Sequence, residues 1–247
     1  MSKTLLQRII QRAGRKIEKV GLKLNQSAVK YGPHPGYHRL DKLPFLSTVI
    51  DIGVGHNGSP FLYDRFPSAF FISIDPLREA EDAVQRNLKN KKNSFILAAV
   101  GKQQKTIQFQ VSQTPSRTSL LQRTGEDNDS RPMETREAKM DRLDNLLANL
   151  DFARPALLKI DIEGGEYDCL QGGEETLKRV DYVHLELSLT DNYYNSYRFS
   201  EVIAFLASRN FEVFQVLKAG NNNVDLLFCL NNDPIRKKWA YGTSAKS

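Results

Sequence analysis

An aspartate followed by closely spaced glycines is the first feature of the sequence that could do chemistry. It lies in the run Asp51-Ile-Gly53-Val-Gly55-His-Asn57-Gly58. Glycine has no Cβ, so such a loop lets a ligand approach the backbone closely. An acid at this position would repel a phosphate, whereas it suits the positively charged amino group of a methionine moiety. The pattern favours S-adenosylmethionine over a nicotinamide dinucleotide, with contacts expected from Asp51, Gly53, Gly55 and Asn57. A glycine turn of purely structural purpose is the alternative.

A second acid lies at the spacing that a ribose site requires. Asp75 follows Asp51 by 24 residues, and in Rossmann-like sheets an acid about 20 residues on accepts hydrogen bonds from the ribose hydroxyls. The segment Ala98-Ala99-Val100-Gly101 has the small apolar side chains that flank an adenine ring, although these also suit plain helix–sheet packing. We expect Asp75, Pro76, Ala99 and Val100 to belong to the same binding site.

Three carboxylates and a lysine are concentrated in the run Leu157-Leu-Lys159-Ile-Asp161-Ile-Glu163-Gly164-Gly165-Glu166. The run begins as an apolar segment typical of a central strand, and open α/β sheets bind ligands at the carboxyl ends of such strands. Buried acids are costly unless they are paired or bound to a ligand. The cluster therefore indicates a functional site, although pairing with Lys159 or helix capping by Glu163 and Glu166 would also explain it.

The stretch 157–173 resembles the signature of the FkbM family of O-methyltransferases, which are class I, Rossmann-like enzymes. A segment typical of the family precedes it, Asp141-Arg-Leu143-Asp144-Asn-Leu146. Further agreement comes from Ile74-Asp75-Pro76, Thr118-Ser119-Leu120 and Val183-His-Leu-Glu186-Leu. The first glycine motif departs from the family pattern Asp-x-Gly-Ala-Asn-x-Gly, because Asn57 lies further along the loop.

The resemblance implies a methyltransferase that uses S-adenosylmethionine and acts on a hydroxyl of a sugar, glycolipid or secondary metabolite. The partner would then be a small-molecule or glycan acceptor. Two other interpretations stay open. One is a non-catalytic adenosyl-binding or interaction protein with the same fold. The other is a nicotinamide-dependent oxidoreductase, which Asp51 disfavours because a carboxylate would face the pyrophosphate.

Carboxylates are the candidates for catalysis. A hydroxyl acceptor has a high pKa and benefits from a general base. Asp161 is the first candidate for the catalytic neighbourhood, and Glu163, Glu166 and Glu186 follow. His38, or His34, in the stretch before the first strand is a further candidate base. The carboxylates would also suit a hard divalent cation, but we expect no metal, and the two cysteines lack zinc-ligand spacing.

The elements that must position these residues alternate between short apolar runs and helical stretches. This alternation predicts βα units on a mostly parallel sheet. The fold class is therefore α/β, a doubly wound, mostly parallel seven-stranded sheet with an antiparallel last strand and an N-terminal helical arm. Strands are predicted at 48–52, 70–75, 94–100, 106–111 (an extra edge strand), 156–161, 182–187, 211–217 and 224–230. Helices are predicted at 62–66, 77–90, 141–149, 166–172, 174–179 and 199–208. Residues 112–138 are polar and aperiodic, which predicts a long functional or disordered loop.

The basic charge is confined to the N-terminus. Residues 1–24 hold seven Lys or Arg and one Glu, which accounts for the whole net charge of +6. The neutral remainder argues against a nucleic-acid partner. The 1–24 segment is amphipathic as a helix, which suits peripheral contact with an anionic membrane surface or docking on protein. We expect an arm and Gly/Pro linker at 1–42, a methyltransferase domain at 43–233 and a basic tail at 234–247, in the cytoplasm.

Overall fold

The fold combines strands and helices in alternation. A computed structural model describes residues 35–112, 118–124 and 132–239. The strands are β1 (Thr48–Ile52), β2 (Phe70–Asp75), β3 (Asn93–Leu97), β4 (Ala99–Gly101), β5 (Lys105–Ser112), β6 (Pro132–Arg142), β7 (Ala156–Ile160), β8 (Tyr182–Ser188), β9 (Phe211–Ala219) and β10 (Asn223–Leu230). The helices are a 3-10 helix (Pro35–Lys42), α1 (Pro60–Arg65), α2 (Arg78–Asn87), α3 (Leu143–Leu146), α4 (Glu166–Gly172), α5 (Glu174–Leu177), α6 (Phe199–Ala207) and α7 (Pro234–Trp239).

The main sheet confirms the predicted fold class. Seven strands pair in the order β3-β2-β1-β7-β8-β10-β9. Within this sheet the described strand pairs are parallel except those of β10, which runs antiparallel to both β8 and β9. The chain order reverses between β1 and β7, and in open α/β sheets this switch point is where a ligand crevice forms.

The central strands form because their apolar runs are buried on both faces. Every residue of β1 and of β7 is buried, as expected for parallel strands covered by helices. Successive side chains point to opposite faces, so Val49 and Leu157 enter one core while Ile50 and Leu158 enter the other. Burial on both sides fixes the register of the strand ends that carry the polar residues.

The strand predicted at 94–100 is wrong as one element. It is two strands: β3 lies in the main sheet, and β4 belongs to a second sheet of order β4-β6-β5. The break falls at Ala98, whose N–H donates to the carbonyl of Asp75 at 3.2 Å. The extra strand predicted at 106–111 is present as β5, in this second sheet.

Part of the loop predicted at 112–138 is also wrong. β6 begins at Pro132 and pairs antiparallel with β5. Its described side chains are exposed or half-buried, so the strand carries no alternation of apolar and polar residues that a sequence pattern would reveal. β6 continues to Arg142, which shortens the helix predicted at 141–149 to the four residues of α3.

The 3-10 helix packs onto the body within the stretch predicted as a linker. Tyr37 and Leu40 are buried in the same core as Val49. A Cβ at Gly36 would meet the carbonyl oxygen of Leu217 at 1.4 Å, so this contact requires glycine. The amphipathic helix predicted at 1–24 lies outside the described residues, and the arm boundary stays a prediction.

The predicted C-terminal tail begins as a helix, α7, whose Ile235 is buried. Residues 240–247 lie outside the described part of the chain. Within the ranges that the structure describes, no helix is long and apolar enough to cross a membrane.

Candidate active site

The glycine loop after β1 turns sharply under the end of the sheet. Gly53, Gly55 and Gly58 have φ angles of +77°, +65° and +74°, a region that favours glycine. A Cβ at Gly53 would lie 1.8 Å from the carbonyl oxygen of Asp161, whereas one at Gly55 would meet nothing within 4 Å. Gly53 is therefore required by close packing of two loops, and Gly55 faces open space.

That open space is a cavity of about 280 Å³ at the ends of β1, β2 and β7, which we call the glycine-loop cavity. Of the predicted binding and catalytic residues, the structure brings Gly53, Gly55, Asn57, Asp75, Pro76, Ala99, Val100, Asp161 and Glu163 to its wall. Nine of the predicted residues therefore lie at one cavity. The individual roles of these residues stay predictions.

Asp75 is a buried carboxylate at the cavity wall. Its Oδ2 accepts from the Gly55 N–H at 2.9 Å, and its Oδ1 accepts from the Leu77 N–H at 2.8 Å. Burial raises the pKa of this carboxyl, and the two backbone hydrogen bonds oppose the rise. The contacts fix the carboxylate beside the glycine loop, and each oxygen retains a lone pair for a ligand hydroxyl.

Asp51 is where the structure departs most from the prediction. Its side chain is fully buried and is not among the residues that line the cavity. Lys159 Nζ lies 3.2 Å from Asp51 Oδ1 and 3.5 Å from Asp161 Oδ2, and it donates to the carbonyl of Gly53 at 2.8 Å. Asp51 points inward because its partner is this buried ammonium. In the structure Asp51 therefore contacts Lys159, and its direct contact with a ligand stays a prediction.

Lys159 remains charged in this setting. Burial alone would lower the pKa of its ammonium, but Asp51 and Asp161 outweigh burial and raise it. The ammonium thus contacts the end of β1 at Asp51, the glycine loop at Gly53 and the loop after β7 at Asp161. About a third of the Asp161 side chain remains exposed at the cavity.

A second cavity adjoins the first. We call it the polar cavity; its volume is about 270 Å³, and it shares Asp161 and Glu163 with the glycine-loop cavity. It is lined by Arg123, Asp161, Glu163, Gly164, Glu166, Glu186, Ser188, Asn192, Tyr193, Asn222 and Asn223. Its wall therefore consists almost entirely of hydrogen-bonding groups, and two carboxylates stand at the junction.

Glu163 is held at this junction by Tyr193 and by the segment 118–124. Arg123 Nη2 lies 3.0 Å from Glu163 Oε2, and the Tyr193 hydroxyl donates to the same oxygen. The Arg123 guanidinium also lies over the Tyr193 ring, 4.8 Å from its centroid. Ser119 donates to the Glu163 carbonyl at 2.6 Å. The 118–124 segment thus borders both cavities. It lies within the stretch 112–138, which the sequence predicted as a long functional or disordered loop, and it contains the Thr118-Ser119-Leu120 agreement.

Glu186 lies in the wall of the polar cavity. Its Oε1 accepts from the Asn223 amide and lies 3.5 Å from Lys218 Nζ. Burial, followed by the charges of Asp161 and Asp225, raises the pKa of Glu186 to about 8. A carboxyl with this pKa is protonated below about pH 8 and can accept a proton above it, as the carboxylate.

Glu166 turns into its own loop. Its carboxylate accepts from the N–H groups of Ile162 at 3.0 Å and Gly164 at 3.1 Å. Burial raises the pKa of Glu166 to about 7 against these hydrogen bonds. The side chain is 1% exposed, so its main contacts stabilise the loop that carries Glu163.

The histidines are dispersed. His38 is exposed and lines neither cavity, so the structure does not bring this candidate base to the site. His56 lines the glycine-loop cavity, His184 is buried in β8, and His34 lies outside the described residues. Among the described residues, no group of three or more His, Cys, Asp or Glu side chains is arranged to hold a metal ion.

Comparisons with known proteins found a matching family model and similar solved structures. The methyltransferase FkbM domain matches residues 51–213. Magnesium protoporphyrin IX methyltransferase from Synechocystis PCC 6803, solved with bound SAM, is 12% identical with a TM-score of 0.43, over 93% of this chain and 85% of that one. A SAM-dependent methyltransferase from Aquifex aeolicus is 14% identical with a TM-score of 0.45, over 84% and 97%. No curated protein matches the chain.

Proposed function

We propose, from the premise that this chain belongs to the FkbM methyltransferase family, that it methylates a hydroxyl oxygen of a small polar acceptor. The methyl donor is S-adenosylmethionine. We propose a hydroxyl oxygen as the methylated atom and a sugar, a glycolipid or a secondary metabolite as the acceptor. One observation carries it: a cavity walled by hydrogen-bonding side chains meets the glycine-loop cavity at Asp161 and Glu163.

The glycine-loop cavity fits the methyl donor. Gly55 leaves room for close approach to the backbone, and Asp75 offers carboxylate oxygens to the ribose hydroxyls. Ala99 and Val100 provide small apolar surface for the adenine. Asp161 is one of the two carboxylates at the junction, and its negative charge would face the positive charge of the donor. Gly53, Gly55 and Gly58 have the Gly-x-Gly-x-x-Gly spacing that is also typical of dinucleotide-binding loops. The spacing therefore does not distinguish S-adenosylmethionine from a dinucleotide, whereas membership of the family does.

The donor supplies an electrophilic methyl group, so the chain mainly has to position the acceptor oxygen in line with it. Glu186, unprotonated above its raised pKa, would take the proton of the acceptor hydroxyl. Glu163 is already paired with Arg123 and Tyr193, which suits it to orienting the acceptor. Asn192 and Asn223 offer amide groups to the remaining hydroxyls.

The test is methyl transfer from radiolabelled S-adenosylmethionine to a panel of neutral sugars, glycolipids and hydroxylated metabolites. We expect Asp161→Asn to abolish transfer to an acceptor that the wild type methylates, while folding is retained. Asp151→Asn, an exposed aspartate in the loop before β7, is the matched control and should be fully active.

Two outcomes would overturn the proposal. Full activity of Asp161→Asn would remove this carboxylate from the site. Tight binding of S-adenosylhomocysteine without transfer to any hydroxylated acceptor, but with transfer to a nitrogen or carbon acceptor, would refute the oxygen as the methylated atom.

A further inference from the structure

A buried polar cluster lies behind Glu186 and is not part of either cavity wall. Its members are Tyr37 of the 3-10 helix, His184 of β8 and Asp225 of β10, which are 8%, 2% and 1% exposed. The Tyr37 hydroxyl donates to Asp225 Oδ2 at 2.5 Å. His184 Nε2 lies 3.7 Å from the same oxygen, an electrostatic contact that is longer than a hydrogen bond.

Aromatic rings enclose this cluster on one side. The Tyr37 ring stacks on Phe61 with centroids 4.5 Å apart, and His184 meets both rings edge-on at 6.0 and 6.2 Å. Phe61 itself lines the glycine-loop cavity. A carboxylate in such surroundings is costly unless other groups compensate its charge, so the position of Asp225 calls for a reason.

Sheet register connects Asp225 to the polar cavity. Asp225 is directly opposite Glu186 in the antiparallel pair β8–β10, and Lys218 of β9 is opposite Asp225. The Lys218 ammonium lies 3.5 Å from Glu186 Oε1 and 4.0 Å from Asp225 Oδ1. One ammonium is thus shared between two neighbouring carboxylates.

The pKa values of the two carboxyls are shifted in opposite directions. Burial opposes ionisation of Asp225, but His184 and the Tyr37 hydroxyl outweigh it, so the pKa of Asp225 is below its usual value. The charged groups that face Glu186 are Asp161, Asp225, Lys218 and Glu163. Of these, the cation Lys218 lowers the pKa of Glu186, whereas the three carboxylates raise it.

We propose that Asp225 is a positioning residue: Tyr37 and His184 hold its carboxylate beside Glu186, where it shares Lys218 and increases the basicity of Glu186. The inference rests on the proposed function only in the role it gives to Glu186. Through Tyr37, which is 188 residues away from Asp225 in sequence, the 3-10 helix would also help to position the site.

The test is a carboxyl ¹³C NMR titration of the full chain labelled with [δ-¹³C]glutamate, with the Glu186 signal assigned from Glu186→Gln. Asp225→Asn removes a facing negative charge, so the midpoint of Glu186 should fall by about one pH unit or more. Lys218→Met removes the facing cation, so the midpoint should rise. Tyr182→Phe breaks a tyrosine–aspartate hydrogen bond at the other end of β8 and should leave the midpoint unchanged.

Opposite shifts distinguish positioning from a general loss of structure, which would move both variants in the same direction. Shifts of the same sign, or no shift in Asp225→Asn, would overturn the inference. The titration needs no acceptor, so it can succeed even if transfer to oxygen is refuted. Where an acceptor is found, the acid limb of kcat should move with the same signs.

Discussion

Lys159 is the residue on which the local electrostatics depend. Its ammonium contacts Asp51, Asp161 and the Gly53 carbonyl, and its pairing with the fully buried Asp51 joins β7 to β1. Removing one partner of a buried pair leaves an uncompensated charge, which costs more than the pair itself contributes.

Lys159→Met should therefore lower the free energy of unfolding by about 3–5 kcal/mol, measured by urea denaturation. The double variant Asp51→Asn/Lys159→Met should recover part of this loss, because no unpaired charge remains. Lys89→Met, at an exposed lysine, is the control and should unfold as the wild type does. If the double variant were as unstable as Lys159→Met, the pairing would not be the cause.

Glu186 sets the expected pH dependence. Its pKa is raised to about 8 by burial and then by Asp161 and Asp225, so the carboxyl is protonated below that pH and cannot act as a base. The rate kcat/KM should rise as pH increases through about 8. Glu186→Gln should abolish this limb and lower the rate by about 10²–10⁴, whereas Glu212→Gln, exposed on β9, should keep it. A limb that persists in Glu186→Gln would assign the base elsewhere.

At the scale of elements, the site depends on close packing of the glycine loop against the loop after β7. Gly53→Ala would strain a φ of +77° and press a Cβ against the Asp161 carbonyl. It should weaken S-adenosylhomocysteine binding at least tenfold, measured by isothermal titration calorimetry. Gly165→Ala is the control, since its Cβ would meet first the flexible Ile162 side chain at 3.1 Å. Equal affinities for the two variants would refute the packing argument.

The elements that the sequence predicted well are those with buried apolar runs. β1, β2, β7 and β8 appear within one residue of the predicted bounds, because parallel central strands are apolar on both faces. β6 was not predicted as a strand, because its described side chains are exposed or half-buried and carry no period. Arg123 and Tyr193 were missed for a different reason: they are far apart in sequence and meet only through tertiary contacts.

The orientation of the Asp51 side chain could not be predicted from the sequence pattern. Its place at the end of β1 was predictable from sequence, but the direction of its side chain was not. Its partner Lys159 is distant in sequence: Lys159 also contacts the carbonyl of Gly53, which is 106 residues away. Asp51 and Lys159 meet because the register of β1 with β7 places them opposite each other. The position of His38 was not predictable either. It is close to the first strand in sequence, but it is exposed and lines neither cavity.

At the scale of the whole molecule, two cavities share one junction at the switch point of a seven-stranded sheet. The basic 1–24 arm lies outside the described residues, and its contact with an anionic membrane surface or with protein stays a prediction. Deleting residues 1–24 and measuring sedimentation with anionic liposomes separates these two interpretations.

We expect the donor to lie in the glycine-loop cavity with its reactive end at the junction. A crystal structure with S-adenosylhomocysteine would show where the adenosyl group and the sulfur lie. We expect the ribose against Asp75, the adenine beside Ala99 and Val100, and the sulfur directed past Asp161 toward the polar cavity. An adenosyl group bound elsewhere, or a sulfur directed away from the polar cavity, would contradict the account.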